Sequence, residues 1–284
     1  MTSERTNQHP NTRPPATRAP MTLPELAPLA PPAGFSEEAR AQGIEFESDD
    51  LRRLGLYLAL LLEVSKTTNL TAIEDADLAW RRHILDSLTL LGPLSELPHG
   101  ARVIDVGSGG GLPGLPLAIC MPDLKFTLLE ATGKKAEFLS LVARRLVPGN
   151  TAVLPERAER AGHDRGQKVS HGAVTSRQGG HREQYDAVVA RAVGRLATLL
   201  ELTTPFAKVG GKILLIKGEQ AGVEVEEARE AMHLLKVVHV GTLDTPTGKI
   251  VVLEKPSATP RTYPRADGEP KRSPLGAGRP RTGR

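Results

Sequence analysis

The chain has a single cysteine, Cys120, so no disulfide can form within it, and a reducing, cytoplasmic setting is expected. Aromatic residues are only 3% of its 284 residues. Platforms on which a nucleic-acid base could stack are therefore few: Trp80, Tyr57, Tyr185, Tyr263 and the phenylalanines. No apolar run is long enough to span a bilayer, and the N-terminal region lacks the continuous apolar stretch of a signal peptide, so no membrane partner is expected. His163, His171 and His181 have neither ligand-like spacing nor cysteine neighbours, so no metal site is expected from them.

Charge is unevenly spread. Residues 256–284 carry seven Lys or Arg against two Asp or Glu, a surplus that exceeds the whole-chain net charge of +4, so the remainder is close to neutral. Such a basic, Pro- and Gly-containing tail suits a phosphate-bearing partner such as RNA, and equally a plain solubilising end. At the other end, residues 1–33 hold eight prolines among Ser, Thr, Arg and Asn, a composition expected to remain disordered. Between them lies one domain, residues 34–255. A polar, aperiodic stretch, 161–182, reads as a mobile surface insertion within it.

The most informative stretch runs from Arg102 to Pro116, R-V-I-D-V-G-S-G-G-G-L-P-G-L-P. Val103-Ile104-Asp105-Val106 is too short for a helix and rich in β-branched residues, which predicts a buried strand. Gly107, Gly109, Gly110 and Gly111 then let the backbone bend sharply and approach a ligand where a Cβ would collide. Pro113 suits the first turn of the apolar helix that Leu115, Leu117, Ala118 and Ile119 define. A dinucleotide fingerprint beginning at Gly107 needs a small residue at position 112, where Leu112 stands; one beginning at Gly109 comes two residues late. The spacing Asp105-x-Gly107-x-Gly109-x-Gly111, with Ser108 inside the turn, instead resembles the first motif of S-adenosylmethionine (SAM) methyltransferases.

Three helices are expected before this strand. One covers 35–42 with Ser36 as its cap. The next opens at Ser48-Asp49-Asp50 and carries Leu51, Leu54, Leu58, Leu61 and Leu62 at helical spacing. The third covers 75–91, with Trp80, Ile84, Leu88 and Leu91 on one stripe and His83 beside it. His83 reads either as a packed histidine bonded to Asp86 or as a substrate-side group. Residues 34–100 thus form a helical cap, and 101–255 alternate strand and helix. The fold class is α/β: a doubly wound, seven-stranded, mostly parallel sheet with an N-terminal helical cap. The second strand ends at Glu130, 23 residues beyond Gly107, where a carboxylate can accept hydrogen bonds from ribose hydroxyls.

Several motifs together resemble the ribosomal RNA small-subunit methyltransferase G family, also called glucose-inhibited division protein B. They are Asn69-Leu70-Thr71, His83-Ile84-Leu85-Asp86-Ser87, the stretch from Asp105 to Gly114, Arg157-Ala158-Glu159, Ala190-Arg191-Ala192, Lys217-Gly218, and an end signature at Tyr263-Pro264-Arg265, Pro270-Lys271 and Pro274-Leu275. The resemblance covers about residues 45–275. It implies SAM-dependent methylation at N7 of one guanine in the decoding-region loop of 16S ribosomal RNA, with the RNA or the small ribosomal subunit as partner; the oligomeric state is not fixed by the sequence, a monomer being the default expectation. It also implies cofactor contacts at Gly107, Leu112, Ala131, Thr132, Ala158, Glu159 and Arg191. The proline-rich leader and the 161–182 stretch depart from the family pattern. The alternatives are a methyltransferase with another substrate and a non-enzymatic RNA-binding or ribosome-assembly factor.

What is absent agrees with N7 chemistry. Methylation of a pyrimidine carbon normally needs a cysteine nucleophile, and Cys120 sits in an apolar helix start. An exocyclic amine usually goes with an Asn-Pro-Pro-aromatic signature, where Ala190-Arg191-Ala192 stands instead. Guanine N7 has a free lone pair and loses no proton on attack, so no catalytic residue is fixed by the sequence. His83, Arg191 and Lys217 are the candidates for gripping the base.

Overall fold

The computed structural model describes residues 20–171, 174–191 and 194–276. Its strands are β1 (Arg102–Val106), β2 (Lys125–Leu129), β3 (Thr151–Leu154), β4 (Gln167–His171), β5 (Val174–Gln178), β6 (Tyr185–Arg191), β7 (Ala207–Lys217), β8 (Val238–Thr245) and β9 (Gly248–Glu254). Seven of them form one sheet in the order β3-β2-β1-β6-β7-β9-β8. The pairs from β3 to β7 are parallel, and β9 runs antiparallel to both β7 and β8. Successive residues of the inner strands point to opposite faces and both faces are covered, which is why these strands read as unbroken apolar runs. Val103, Leu128, Val189 and Leu214 face one core cluster, and Ile104, Leu129, Val188 and Ile213 face the other. The chain leaves β1 towards β2 on one side and later enters β6 on the other. Their connections diverge, and this opens a crevice at the carboxyl ends of the strands.

The cap packs on one face. Helix Asp50–Ser65 buries Leu54, Tyr57, Leu58 and Leu61 completely, each apolar side chain contributing about 2 kcal/mol. The third helical stretch begins at Ala76, capped by the Asp75 carboxylate, which accepts from Leu78 N–H at 2.7 Å. Through Trp80–Leu85 it widens into π-helix, a local form often found at functional sites. Trp80, Ile84 and Leu88 are buried as the stripe requires, but Leu91 starts a separate helix, Leu91–Ser95. The first helix, Phe35–Arg40, starts at Gly34, so Ser36 lies inside it and does not cap it.

One expectation is corrected and two gain detail. The leader is ordered from Pro20 onward: Met21, Leu23, Leu26 and Leu29 pack against the cap-side core. Leu23, Leu26 and Leu29 recur every third residue, the period of an extended polyproline-type segment. Prolines fix φ and so lower the ordering entropy that composition alone would charge against it. Leu29 N–H donates to Gly55 O at 3.1 Å, and Arg145 pairs with Glu25 at 2.7 Å. Residues 1–19 lie outside the described residues. Within the stretch 161–182, β4 and β5 pair as an antiparallel hairpin. At its end Arg182 is buried and donates to the carbonyls of Gly162, Thr259, Pro260 and Tyr263. The basic tail, finally, is fixed on the fold up to residue 276. Arg265 forms a two-pronged pair with the fully buried Glu201 and is not free for a phosphate.

Candidate functional site

The glycine turn is held from three sides. Gly107 and Ser108 N–H both donate to Leu129 O at the end of β2, at 2.9 and 3.1 Å. Gly107, Gly109 and Gly111 have φ of 77°, 58° and 105°, values that side-chain-bearing residues rarely adopt. A Cβ on Gly110 would stand 2.7 Å from Leu61 Cδ1 and 3.3 Å from Leu70 O. Tyr57 also donates its hydroxyl to Gly110 O at 3.0 Å. The cap helix and the Asn69-Leu70-Thr71 loop therefore sit directly on the turn.

Two carboxylates complete it. Glu130, at the tip of β2, accepts Gly109 N–H through Oε2 at 3.0 Å and Thr132 N–H through Oε1 at 2.6 Å. Asp105 is fully buried; its Oδ2 accepts Gly114 N–H at 3.0 Å. Its Oδ1 has no hydrogen-bond partner among the described residues. Burial pushes the Asp105 carboxyl up to about 7, against the opposing pull of the Ser108 hydroxyl and the Gly114 N–H.

Over the ends of β1, β2 and β3 lies a cavity of about 780 Å³. Five residues singled out in the sequence line it: Gly107, Glu130, Ala131, Ala158 and Glu159. Asp105, Ser108, Gly109, Gly111, Leu112 and Thr132 do not line it. They build or brace the turn from behind, with Leu112 buried beside the cis Pro113. The far wall was not foreseen, since Gly268, Lys271, Arg272 and Pro274 of the C-terminal segment supply it.

Arg191, expected at the cofactor, lines a neighbouring pocket of about 310 Å³ together with Arg82, His83, Asp86 and Lys217. The structure thus gathers the three base-gripping candidates in one place. Arg191 pairs with Asp86 at 3.1 Å, donates to Arg82 O at 2.8 Å and approaches His83 Nδ1 at 3.4 Å. Because an arginine can only donate, His83 Nδ1 accepts, and its Nε2–H donates to Thr71 Oγ1 at 2.7 Å. Burial, reinforced by Arg191, lowers His83 to about 4, so the ring is neutral at pH 7. The packed-histidine reading stands with a different partner: His83 bonds Thr71, and Asp86 takes Arg191 and Thr247. Lys217 pairs with Glu224 at 2.8 Å and donates to Gly194 O at 2.7 Å. Glu224 and Thr247 gave no signal in the sequence, one being lost in a Glu-rich helix and the other in a two-residue hairpin turn. Burial raises the Cys120 thiol far above its usual range, which removes it as a nucleophile.

A glycine turn after the first strand, a carboxylate at the tip of the second and a crevice at the point where strand order reverses define a methyltransferase of the doubly wound class. The residues fit SAM. The turn offers backbone without side chains, Glu130 keeps lone pairs facing the cavity for hydroxyl donors, and Asp105 holds an unpartnered oxygen behind the turn. A family model described as rRNA small subunit methyltransferase G matches residues 50–250. The chain is 48% identical over 251 residues to the Ribosomal RNA small subunit methyltransferase G of Sorangium cellulosum, covering 88% of this chain and 99% of that protein. It is 36% identical to the protein of that name from Brevibacillus brevis, over 85% of this chain and 98% of that one. The chain belongs to the rRNA small subunit methyltransferase G family, and its methyl donor is S-adenosylmethionine. Among the described residues no group of His, Cys, Asp or Glu could hold a metal ion, and no helix is long and apolar enough to cross a membrane.

Proposed function

We propose that the protein methylates N7 of a guanine in the decoding-region loop of 16S ribosomal RNA, in the cytoplasm, on the RNA or on the small subunit. The carrying observation is the state of the pocket beside the cofactor cavity. Every titratable side chain there that might take a proton is already engaged: His83 through both ring nitrogens, Lys217 with Glu224, and Asp86 with Arg191 and Thr247. A reaction that had to remove a proton from its acceptor would have to break one of these pairs, whereas N7 attacks with a lone pair and releases none.

SAM supplies a methyl group activated by a sulfonium charge. The protein's contribution is then orientation: two rigid pockets side by side, linked where Lys217 grips Gly194, which itself lines the cofactor cavity. Glu130 would hold the ribose hydroxyls, Gly107 and Ala131 the adenosine edge, and Ala158 with Glu159 the adenine side. Arg191, His83 and Lys217 would fix the base. Guanine-reading arginines usually take N7 and O6 together. Because N7 must stay free here, the Arg191 and Lys217 cations would serve O6 or the flanking phosphates, with the neutral His83 ring beside them.

The test is methyl transfer from labelled SAM to 16S RNA and to small-subunit particles, with the modified nucleoside placed by mass spectrometry. N7-methylguanosine at one decoding-loop position is the expected product. A methylated amine or pyrimidine carbon would refute the N7 reading, and no transfer to either substrate would favour an assembly factor.

A further inference from the structure

We propose that residues 265–275 are the outer wall of the cofactor cavity, with Lys271 and Arg272 as the side chains that close over the bound adenosine. The proposal rests on the cavity being the SAM site and assigns the C-terminal segment to the cofactor instead of to RNA.

The segment is tied down at five places, and three of the ties come from residues around the cavity. Glu159, buried, accepts Gly268 N–H at 2.8 Å. Asp267 reaches Arg160 at 2.7 Å and Arg157 at 3.6 Å. Thr198, which lines the cavity, donates its hydroxyl to Pro270 O at 3.1 Å. Arg265 pairs with the fully buried Glu201 at 2.7 Å, and Leu275 is buried in the core beyond. The side chains of Arg157 and Glu159 therefore hold the segment, while Ala158 between them lines the cavity.

Between these anchors Gly268, at φ 75°, turns the chain so that Gly268, Lys271, Arg272 and Pro274 all border the cavity. Gly107, Glu130 and Ala158 line the same cavity. Anchored at both ends, the segment is a fixed wall on the adenine side. The Lys271 and Arg272 side chains remain exposed enough to move. Their aliphatic stems can cover a ring while their charged heads stay in water, and a guanidinium can lie flat on a purine face.

The experiment is calorimetric titration with S-adenosylhomocysteine, the demethylated cofactor, of the full chain and of a Lys271→Ala, Arg272→Ala double variant. These exposed side chains hold no part of the fold, so the variant keeps its melting temperature. Its Kd should rise about tenfold, the equivalent of about 1.4 kcal/mol. A second readout needs no mutation: trypsin cleavage after Lys271 and Arg272 should slow several-fold when S-adenosylhomocysteine is bound. An unchanged Kd in the variant, with the wild type binding normally, overturns the wall and leaves the cofactor site standing. Failure of the wild type to bind overturns both. A normal Kd together with a weaker salt dependence of RNA binding would give the two cations to the RNA phosphates.

Discussion

Glu130 braces the glycine turn and is proposed to hold the ribose, and a Glu130→Gln substitution tests both roles. In the structure each carboxylate oxygen accepts one backbone N–H, from Gly109 at 3.0 Å and from Thr132 at 2.6 Å. Glutamine has a single acceptor oxygen, so its NH₂ must face one of those N–H groups, donor against donor. The site is nearly closed to water, with Glu130 at 8% exposure, so the stranded N–H costs about 1–3 kcal/mol. Alanine strands both groups but leaves room for a water, so its stability cost should be similar and not double. With Glu130 holding the ribose hydroxyls as proposed, either variant should also weaken SAM by about 1–3 kcal/mol, or roughly 5- to 150-fold in Kd. Thermal melts read the first loss and calorimetry with S-adenosylhomocysteine reads the second. If both variants melt lower yet bind with wild-type affinity, Glu130 is a brace for the turn and the ribose assignment is wrong.

Two further outcomes follow from the packing. His83 has a folded pKa near 4, below the 6.5 of an exposed histidine. Its neutral form stabilises the fold above pH 6.5, and that contribution, up to about 3 kcal/mol at 1.36 kcal/mol per pH unit, is lost as pH falls through 4. A His83→Gln variant should show a flatter decline of melting temperature between pH 6.5 and 4, and parallel declines would mean that the ring is not held neutral. Gly55→Ala should dislodge the leader, because the new Cβ would lie 2.2 Å from Leu29 O. Limited proteolysis should then cut within residues 20–33 while the rest of the domain survives, and an intact leader would show that the contact can relax.

The sheet and the glycine turn were legible because their residues act locally. Val103 to Val106 make a strand, the alternating glycines make a turn, and Glu130 falls at a strand tip by counting. The sequence showed less of the side chains whose partners lie far along the chain. Arg191 shares a motif with Ala190, and nothing local says that it will bond Asp86, 105 positions earlier, and line a pocket with His83 and Lys217. Glu201 looks like one polar residue in an apolar helix until Arg265, 64 positions later, arrives to neutralise it.

From Pro20 onward the leader was misread, and the charge of the tail told little of where its cations go. Composition reports how much a segment can bury and how it is charged, but not whether a surface awaits it. Three leucines at polyproline spacing find the groove beside Gly55. Of the tail's seven cations, Arg265 is spent inside the fold and Lys271 and Arg272 border a cavity. A surplus of charge along the chain is therefore not by itself a surface for phosphate. In this protein the exposed arginines of the cap, Arg81 and Arg82, remain better placed than the tail to meet an RNA backbone. Arg82 lines the pocket with His83 and Arg191, and Arg81 stands one residue away, paired with the half-exposed Glu38.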